Sequence, residues 1–286
     1  MAGHHAAMDL GLSGRAGIVT GASRGIGLAT ARLLCAEGAR VLLAARDGER
    51  LSEAVAECRA AGDGAGGEER GAPVPGAQAE GLALDVTAPD AGDRLVADCL
   101  DAFGRLDFAV ANAGTSAAIP FDQVPDEEWE RQWGLNVMGP LRLIRAAAPV
   151  MAEREWGRIV NVASSAGKRP SLTNAAYSVT KAAQLSLSRA YADAYASRGV
   201  LVNAVAPGPV ASPLWVDPGG LGDQAARVAG ITREEAIAKQ GAKVPLGRFG
   251  EPEEIARVVV FLCSEASSNV TGAAWSADGG TFASIV

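Results

Sequence analysis

The sequence predicts an α/β fold: one doubly wound domain whose mainly seven-stranded parallel sheet is flanked by helices. Three observations carry this. From Ala16 onward, short apolar runs alternate with longer stretches of helical periodicity. The runs are apolar at nearly every position, the pattern of strands buried on both faces of a parallel sheet. The first run leads directly into a glycine-rich turn that opens a helix, as at the start of a nucleotide-binding βαβ unit.

The elements follow in order. "AGIVT" (16–20) is the first strand, and "IGLATARLLCAEG" is a helix that Gly38 ends as its C-cap. "RVLLAA" (40–45) is the second strand and "GLALDV" (81–86) the third. Between them, residues 60–81 are rich in Gly, Pro and Ala and too long for an ordinary connection, so they read as a surface insertion. "LDFAVAN" (106–112) is the fourth strand. A long helix is predicted over "EEWERQWGLNVMGPLRLIRAAAPVM". "GRIVNVA" (157–163), "VLVNAVA" (200–206) and "GAAWSAD" (272–278) complete the sheet. Residues 208–245 follow the carboxyl end of a strand, where open α/β sheets bind ligands. They carry apolar Leu214, Trp215, Val216 and Leu221 and a short helical "TREEAIAKQ", and read as a substrate lid. Residues 1–11 read as a flexible tail and 12–286 as a single domain, with no internal repeat.

Composition bounds the function. A net charge of −7 offers no basic footprint for nucleic acid or an anionic membrane. No apolar run reaches the roughly 18 residues of a membrane span. The N-terminal segment lacks the basic and apolar regions of a secretory signal. Cys35, Cys58, Cys99 and Cys263 are scattered and fit buried thiols in a reducing, cytoplasmic setting. The only histidines, His4 and His5, lie in the tail, which argues against a zinc site or a Ser-His-Asp triad. No metal is expected.

"TGASRGIG" (20–27) is built for phosphate. Gly21, Gly25 and Gly27 allow a tight turn and close backbone approach, while Ser23, Arg24 and Ile26 lie at a helix N-terminus whose free N–H groups favour an anion. Sites for NAD hold the ribose with an acidic residue at the end of the second strand. Ala45 stands there instead, Arg46 follows, and Arg24 sits in the turn. Two guanidiniums suit a 2′-phosphate, so NADP(H) is expected over NAD(H). Asp47 is the complication, since it could neutralise Arg46.

"YSVTK" places Tyr177 and Lys181 four residues apart, on one helix face. A phenol with a reference pKa of about 10 is a poor acid near neutrality, and a neighbouring ammonium would lower it. In the long helix, Pro140 has no N–H to give to the carbonyl of Asn136, which then needs another partner such as water.

Taken with "ANAG" (111–114), "LDV" (84–86), "NVMG" (136–139), "VNVASSAG" (160–167), "NAVAPGPVAS" (203–212) and "PLGRFGEPEEIARVVVFLCSEASSNVTG", these motifs resemble the single-domain short-chain dehydrogenase/reductases with their Rossmann-like fold. The likeness runs from Leu12 to Phe282 and is similar in particular to 3-oxoacyl-(acyl-carrier-protein) reductases. It implies that Tyr177 exchanges a proton with the substrate oxygen and that Lys181 tunes it and holds the nicotinamide ribose. Ser164 would hydrogen-bond the same oxygen, with Ser165 its rival, and Asn136 would hold a relay water. Asp85 and Val86 would meet the adenine. Asn112, Ala113 and Gly114 would line the cofactor, and Pro207, Gly208, Val210 and Ser212 the nicotinamide side. Ser212 replaces the family's usual threonine and keeps the hydroxyl.

The resemblance implies an NADP(H)-dependent reductase of ketones or 3-oxoacyl groups, assembled as a homotetramer. An alcohol dehydrogenase working oxidatively, and a catalytically silent nucleotide-binding protein on the same fold, are the alternatives. A sugar-nucleotide epimerase or dehydratase shares the Tyr–Lys pair but usually has a longer C-terminal region. An acidic carrier protein would want basic residues at the entrance, and Lys168, Arg169 and Arg198 are candidates. Glu155, where that group often carries a basic residue, argues against carrier docking.

Overall fold

A computed structural model describes residues 9–63 and 78–283. The first half of the chain forms β1 (Ala16–Thr20), α1 (Gly25–Ala36), β2 (Arg40–Ala45), α2 (Gly48–Asp63), β3 (Gln78–Ala83), α3 (Ala91–Phe103) and β4 (Phe108–Ala111). Next come α4 (Asp126–Trp133), a π turn (Gly134–Met138), α5 (Gly139–Glu153), β5 (Gly157–Val162), α6 (Ala175–Tyr195) and β6 (Val200–Pro207). Three short helices, α7 (Pro213–Val216), α8 (Leu221–Ala229) and α9 (Arg233–Gly241), precede α10 (Pro252–Leu262) and β7 (Ala274–Ala277).

The seven strands form one sheet in the order β3-β2-β1-β4-β5-β6-β7, and every pairing is parallel. The order of winding reverses between β1 and β4, which opens a crevice at their carboxyl ends. The apolar runs supply both faces at once. Val19, Leu43, Val110 and Val205 pack under α1, α2 and α10, while Ile18, Leu42, Ala109 and Val202 pack under α3, α5 and α6. Burial of alternate residues on opposite faces is what a run without polar alternation requires.

The edge strands depart from that expectation. β3 and β7 have a neighbour on one side only, and most of their residues are exposed. β3 also starts and ends three residues earlier than "GLALDV" predicts. It stops because the Asp85 carboxylate accepts the Thr87 N–H (2.9 Å) and hydroxyl (2.8 Å), turning the chain out of the ladder. The expected insertion 60–81 shrinks accordingly: its first residues finish α2 and its last begin β3, and 64–77 lie outside the described residues. The expected tail is tied down by Leu10, whose carbonyl accepts the Glu265 N–H at 3.0 Å. Residues 1–8, with His4 and His5, lie outside the described residues.

The single long helix predicted around Asn136 is two helices joined by the π turn, in which the Gly139 N–H donates to the Gly134 carbonyl. Pro140 explains the break. It falls in the first turn of α5, where proline is tolerated, and has no N–H to continue the α-helical ladder back to Asn136.

The excursion after β6 is pinned where it leaves and returns. Val210 and Gly250 form a parallel bridge, with Ala211 N–H to Gly250 O at 2.8 Å and Gly250 N–H to Pro209 O at 2.9 Å. Within it, "TREEAIAKQ" forms α9, capped by reciprocal bonds between Thr232 and Glu235. All four cysteines are buried and unpaired.

Candidate active site

A cleft of about 1350 Å³ runs along the carboxyl ends of the strands and under α7 and α8. At one end lies the turn after β1. Gly21 and Gly25 have φ of +63° and +56°, a region that favours glycine. A Cβ on Gly27 would lie 2.3 Å from the Gly21 carbonyl oxygen and 2.5 Å from Asn112 Nδ2. Gly27 is therefore a packing residue behind the turn and does not line the cleft, whereas Gly21, Ser23, Arg24, Gly25 and Ile26 do. No side chain caps α1, and its first turn carries no acid, so the helix N-terminus is open to an anion.

Asn112 serves the turn from behind. Its amide Nδ2 donates to the Thr20 (2.9 Å) and Gly21 (3.1 Å) carbonyls. The Thr20 hydroxyl in turn accepts the Asn112 and Ala113 N–H groups, each at 3.1 Å. The ends of β1 and β4 are thus locked together, a role for Thr20 that sequence reasoning missed. Arg46 lines the cleft and makes no ion pair among the described residues. Asp47 does not neutralise it, because that carboxylate accepts the Arg50 N–H at 3.2 Å and lies 3.5 Å from the Arg50 guanidinium. Arg24 does have a partner, Asp217 just after α7, at 2.9 Å. Asp85 and Val86 line the cleft beside Arg46. The Thr87 N–H holds the Asp85 carboxyl below its ordinary range, with smaller help from the Thr87 hydroxyl and Arg46.

At the other end, Ser164, Tyr177 and Lys181 line one wall, together with Ala113, Gly114, Pro207, Gly208, Val210 and Ser212. β5 delivers Ser164, and α6 presents Tyr177 and Lys181 one turn apart. The Ser164 hydroxyl accepts the Ala166 N–H at 3.1 Å and is the group that lowers the Tyr177 phenol. Ser165 also lines the cleft. The Lys181 ammonium, 3% exposed, donates to the Val162 carbonyl at 2.9 Å and stands 5.5 Å from the centre of the Tyr177 ring.

The electrostatics act on both groups. Burial pushes the Tyr177 phenol up, and the Ser164 hydroxyl opposes it. Burial brings the Lys181 ammonium down to about 7.

Asn136 is fully buried and does not reach the cleft. Its Nδ2 donates to the Thr115 carbonyl (3.0 Å) and Thr180 hydroxyl (3.1 Å), with Gln132 Oε1 at 3.3 Å, and its Oδ1 accepts the Thr115 N–H at 3.1 Å. A Cβ on Gly114 would lie 3.2 Å from Asn136 Oδ1 and 3.5 Å from Lys181 Nζ, so Gly114 is the seam where the two meet. Gln132, Thr115 and Thr180 had no sequence signal of their own, since helix position alone does not show which neighbour an amide will find. Of the basic residues expected at the entrance, only Arg169 lines the cleft. Lys168 bonds to the β7 edge through the Ala274 carbonyl (2.6 Å) and Ser276 hydroxyl (2.8 Å), and Arg198 stacks over Tyr195. Val216 is also absent from the lining, while Leu214, Trp215 and Leu221 take part. Among the described residues, no group of three or more His, Cys, Asp or Glu is placed to hold a metal, and no helix is long and apolar enough to cross a membrane.

Residues 21–281 match the family model described as Enoyl-(Acyl carrier protein) reductase. The chain is 32% identical to the 3-oxoacyl-(acyl-carrier-protein) reductase FabG of Aquifex aeolicus, over 96% of this chain and 100% of that protein. It is 33% identical to sorbitol dehydrogenase of Cereibacter sphaeroides, over 96% and 99% of the two chains. Among solved structures, L-sorbose reductase from Gluconobacter frateurii with NADPH and L-sorbose superposes with a TM-score of 0.84 at 33% identity, covering 97% of this chain and 100% of that one. A variant of actinorhodin polyketide ketoreductase with NADPH gives 0.84 at 32%, covering 93% and 97%. The parallel seven-stranded sheet, the matched glycine turn and these full-length likenesses agree: the chain is an oxidoreductase of the short-chain dehydrogenase/reductase family, similar to the 3-oxoacyl-(acyl-carrier-protein) reductases.

Proposed function

We propose that this enzyme uses NADP(H) in preference to NAD(H) and reduces a ketone or 3-oxoacyl-type carbonyl to a secondary alcohol, with Tyr177 as proton donor. The observation that carries the reading is that Ser164, Tyr177 and Lys181 line the same cleft as the glycine turn and Arg46. Gly21 to Ile26 and the open end of α1 suit a pyrophosphate, and Arg46, unpaired among the described residues, suits a 2′-phosphate. Lys181 suits the nicotinamide ribose. Bound NADPH would supply hydride to the carbonyl carbon. The protein's part is to fix the carbonyl oxygen between the Ser164 and Tyr177 hydroxyls and pass it the phenolic proton. Lys181 then steadies the phenolate, and Asn136, through its hold on Thr115 and Thr180, keeps the Lys181 side of the site in place. A relay water at the π turn is part of this reading, supported by Pro140's lack of an N–H to give to the Asn136 carbonyl.

The same groups run the reverse reaction, and the relative named sorbitol dehydrogenase keeps alcohol oxidation as the second reading. A silent nucleotide-binding role is disfavoured by the complete set of Ser164, Tyr177, Lys181 and Asn136. Exposed Glu155 speaks against a carrier-bound substrate. Buried, unpaired cysteines fit a cytoplasmic protein. Mixing the purified enzyme with NADPH or NADH and a panel of ketones, and following loss of reduced nicotinamide, tests the reading. Turnover of none of them, in either direction, would refute it.

A further inference from the structure

The substrate half of the cleft has a charge pattern that the reduction itself does not use. Besides Lys181 and the arginines of the Arg46 end (Arg24, Arg46 and Arg50), three cations line the cleft: Arg131, Arg169 and Lys243. Acidic lining residues, Asp47 and Asp85, are confined to the end near Arg46. Arg131 is spent on Glu128, which it grips at 2.6 and 2.7 Å. The Arg169 guanidinium and the Lys243 ammonium have no hydrogen-bonding or ionic partner among the described residues. The nearby acids are engaged elsewhere. The Asp278 carboxylate accepts the Gly280 (3.0 Å) and Phe282 (2.9 Å) N–H groups, and Asp217 holds Arg24. In a chain of net charge −7, two unpaired cations lining one cleft run against the overall balance.

The fold also sets them apart from the reacting groups. Arg169 follows Ser164 by one turn, its N–H donating to the Ser165 carbonyl at 3.0 Å. Lys243 leaves the end of α9. Beside it, Val244 packs on Gly279, where an added Cβ would meet its side chain at 2.6 Å. Lys168, the neighbour of Arg169, stands over the Phe282 ring at 5.4 Å. The segment 279–282 thus touches the sequence neighbours of both cations. Leu214, Trp215, Leu221 and Phe282 supply apolar lining in the same region.

Resting on the proposed ketone reduction, we propose that the substrate carries an anionic group remote from its carbonyl, bound by Arg169 and Lys243 across an apolar spacer. A guanidinium fork and a point ammonium both serve a carboxylate or a phosphate, and a cleft with one sign of charge concentrates such a ligand. The test compares oxo-carboxylates and ketone phosphates with neutral esters of the same chain length, at saturating NADPH so that effects on the cofactor cancel. Calorimetric titration of the same pairs reads binding without turnover. The parent enzyme should prefer the anion by about tenfold in kcat/KM, the equivalent of about 1.4 kcal/mol. Added salt should shrink that ratio, and the double variant Arg169→Ala/Lys243→Ala should bring it near one. The arm with the larger ratio identifies the anion. A parent that reduces neutral ketones without preferring the anion overturns this inference alone, as does a double variant that keeps the preference. A parent that reduces no ketone but binds the anion more tightly than the ester, losing that preference in the double variant, leaves the anion site standing and removes the reaction.

Discussion

The Arg24 guanidinium lies 2.9 Å from the Asp217 carboxylate, tying the turn after β1 to the loop after α7. Both side chains are about half exposed, so the pair contributes at most about 1 kcal/mol to stability. Its interest is functional, because the proposed 2′-phosphate site must share Arg24 with the lid. Asp217→Asn should leave the melting temperature almost unchanged and tighten NADPH by up to roughly fivefold, the equivalent of about 1 kcal/mol, without a matching gain for NADH. Parallel cofactor titrations of parent and variant decide this, and equal gains for both cofactors would remove Arg24 from the phosphate site.

Tyr177→Phe keeps the ring and removes the hydroxyl that Ser164 engages. Turnover should be abolished while NADPH affinity stays near that of the parent. A rate within tenfold of the parent's would disprove the proton-donor role.

Arg46→Ala removes a cation that has no competing partner among the described residues. A charge-assisted contact is worth about 1.5–3 kcal/mol, so the preference for NADPH over NADH should fall by roughly 10- to 100-fold. If the parent uses both cofactors equally, the arginine reading of the site is wrong.

Lys181 gives stability a pH dependence of known sign. Burial lowers it from an ordinary 10.5 to about 7. Between those values the unfolded chain holds a proton that the cofactor-free fold does not, so stability rises with pH there. Below about 7 both states are protonated and the full burial penalty applies. Denaturant titrations at pH 7 and 9 should therefore show a larger gain for the parent than for Lys181→Met. Equal gains would mean that the ammonium is not desolvated in the fold.

Trp133 on α4 and Val179 on α6 are exposed, as is Trp275 on β7, where it stacks on Phe261 of α10. Two separate apolar faces suit two isologous contacts and a homotetramer. Sedimentation equilibrium at micromolar concentration checks this. One species at the mass of a single chain refutes it, and a stable dimer leaves one face in use.

Much of this was legible in the chain. Buried parallel strands announce themselves by unbroken apolar runs, and β1 and β2 fall on the predicted residues. β3 escaped because its end is set by the Asp85–Thr87 turn, and its exposure by its place at the sheet edge. The cleft-lining part of the glycine turn was readable because backbone conformation restricts residue type. Gly27 looked the same in sequence yet serves packing, since a glycine required by a close neighbour and one required by a ligand are written with the same letter. Ser164 and Ser165 are neighbours in sequence and both line the cleft, so the letters alone do not rank them. The burial of Tyr177 and Lys181 was not legible, because spacing gives proximity but not desolvation.

The π turn at Gly134–Met138 makes the helical phase before Asn136 independent of the phase after it. One extra residue within a turn lets the polar side of α4 aim Asn136 at Thr115 and Thr180 while α5 keeps its apolar stripe on the sheet. Losing a single residue from this stretch would restore an unbroken α-helical repeat and swing one of the two out of alignment. A one-residue deletion anywhere in this stretch therefore costs either the core or the chemistry, whichever residue is removed.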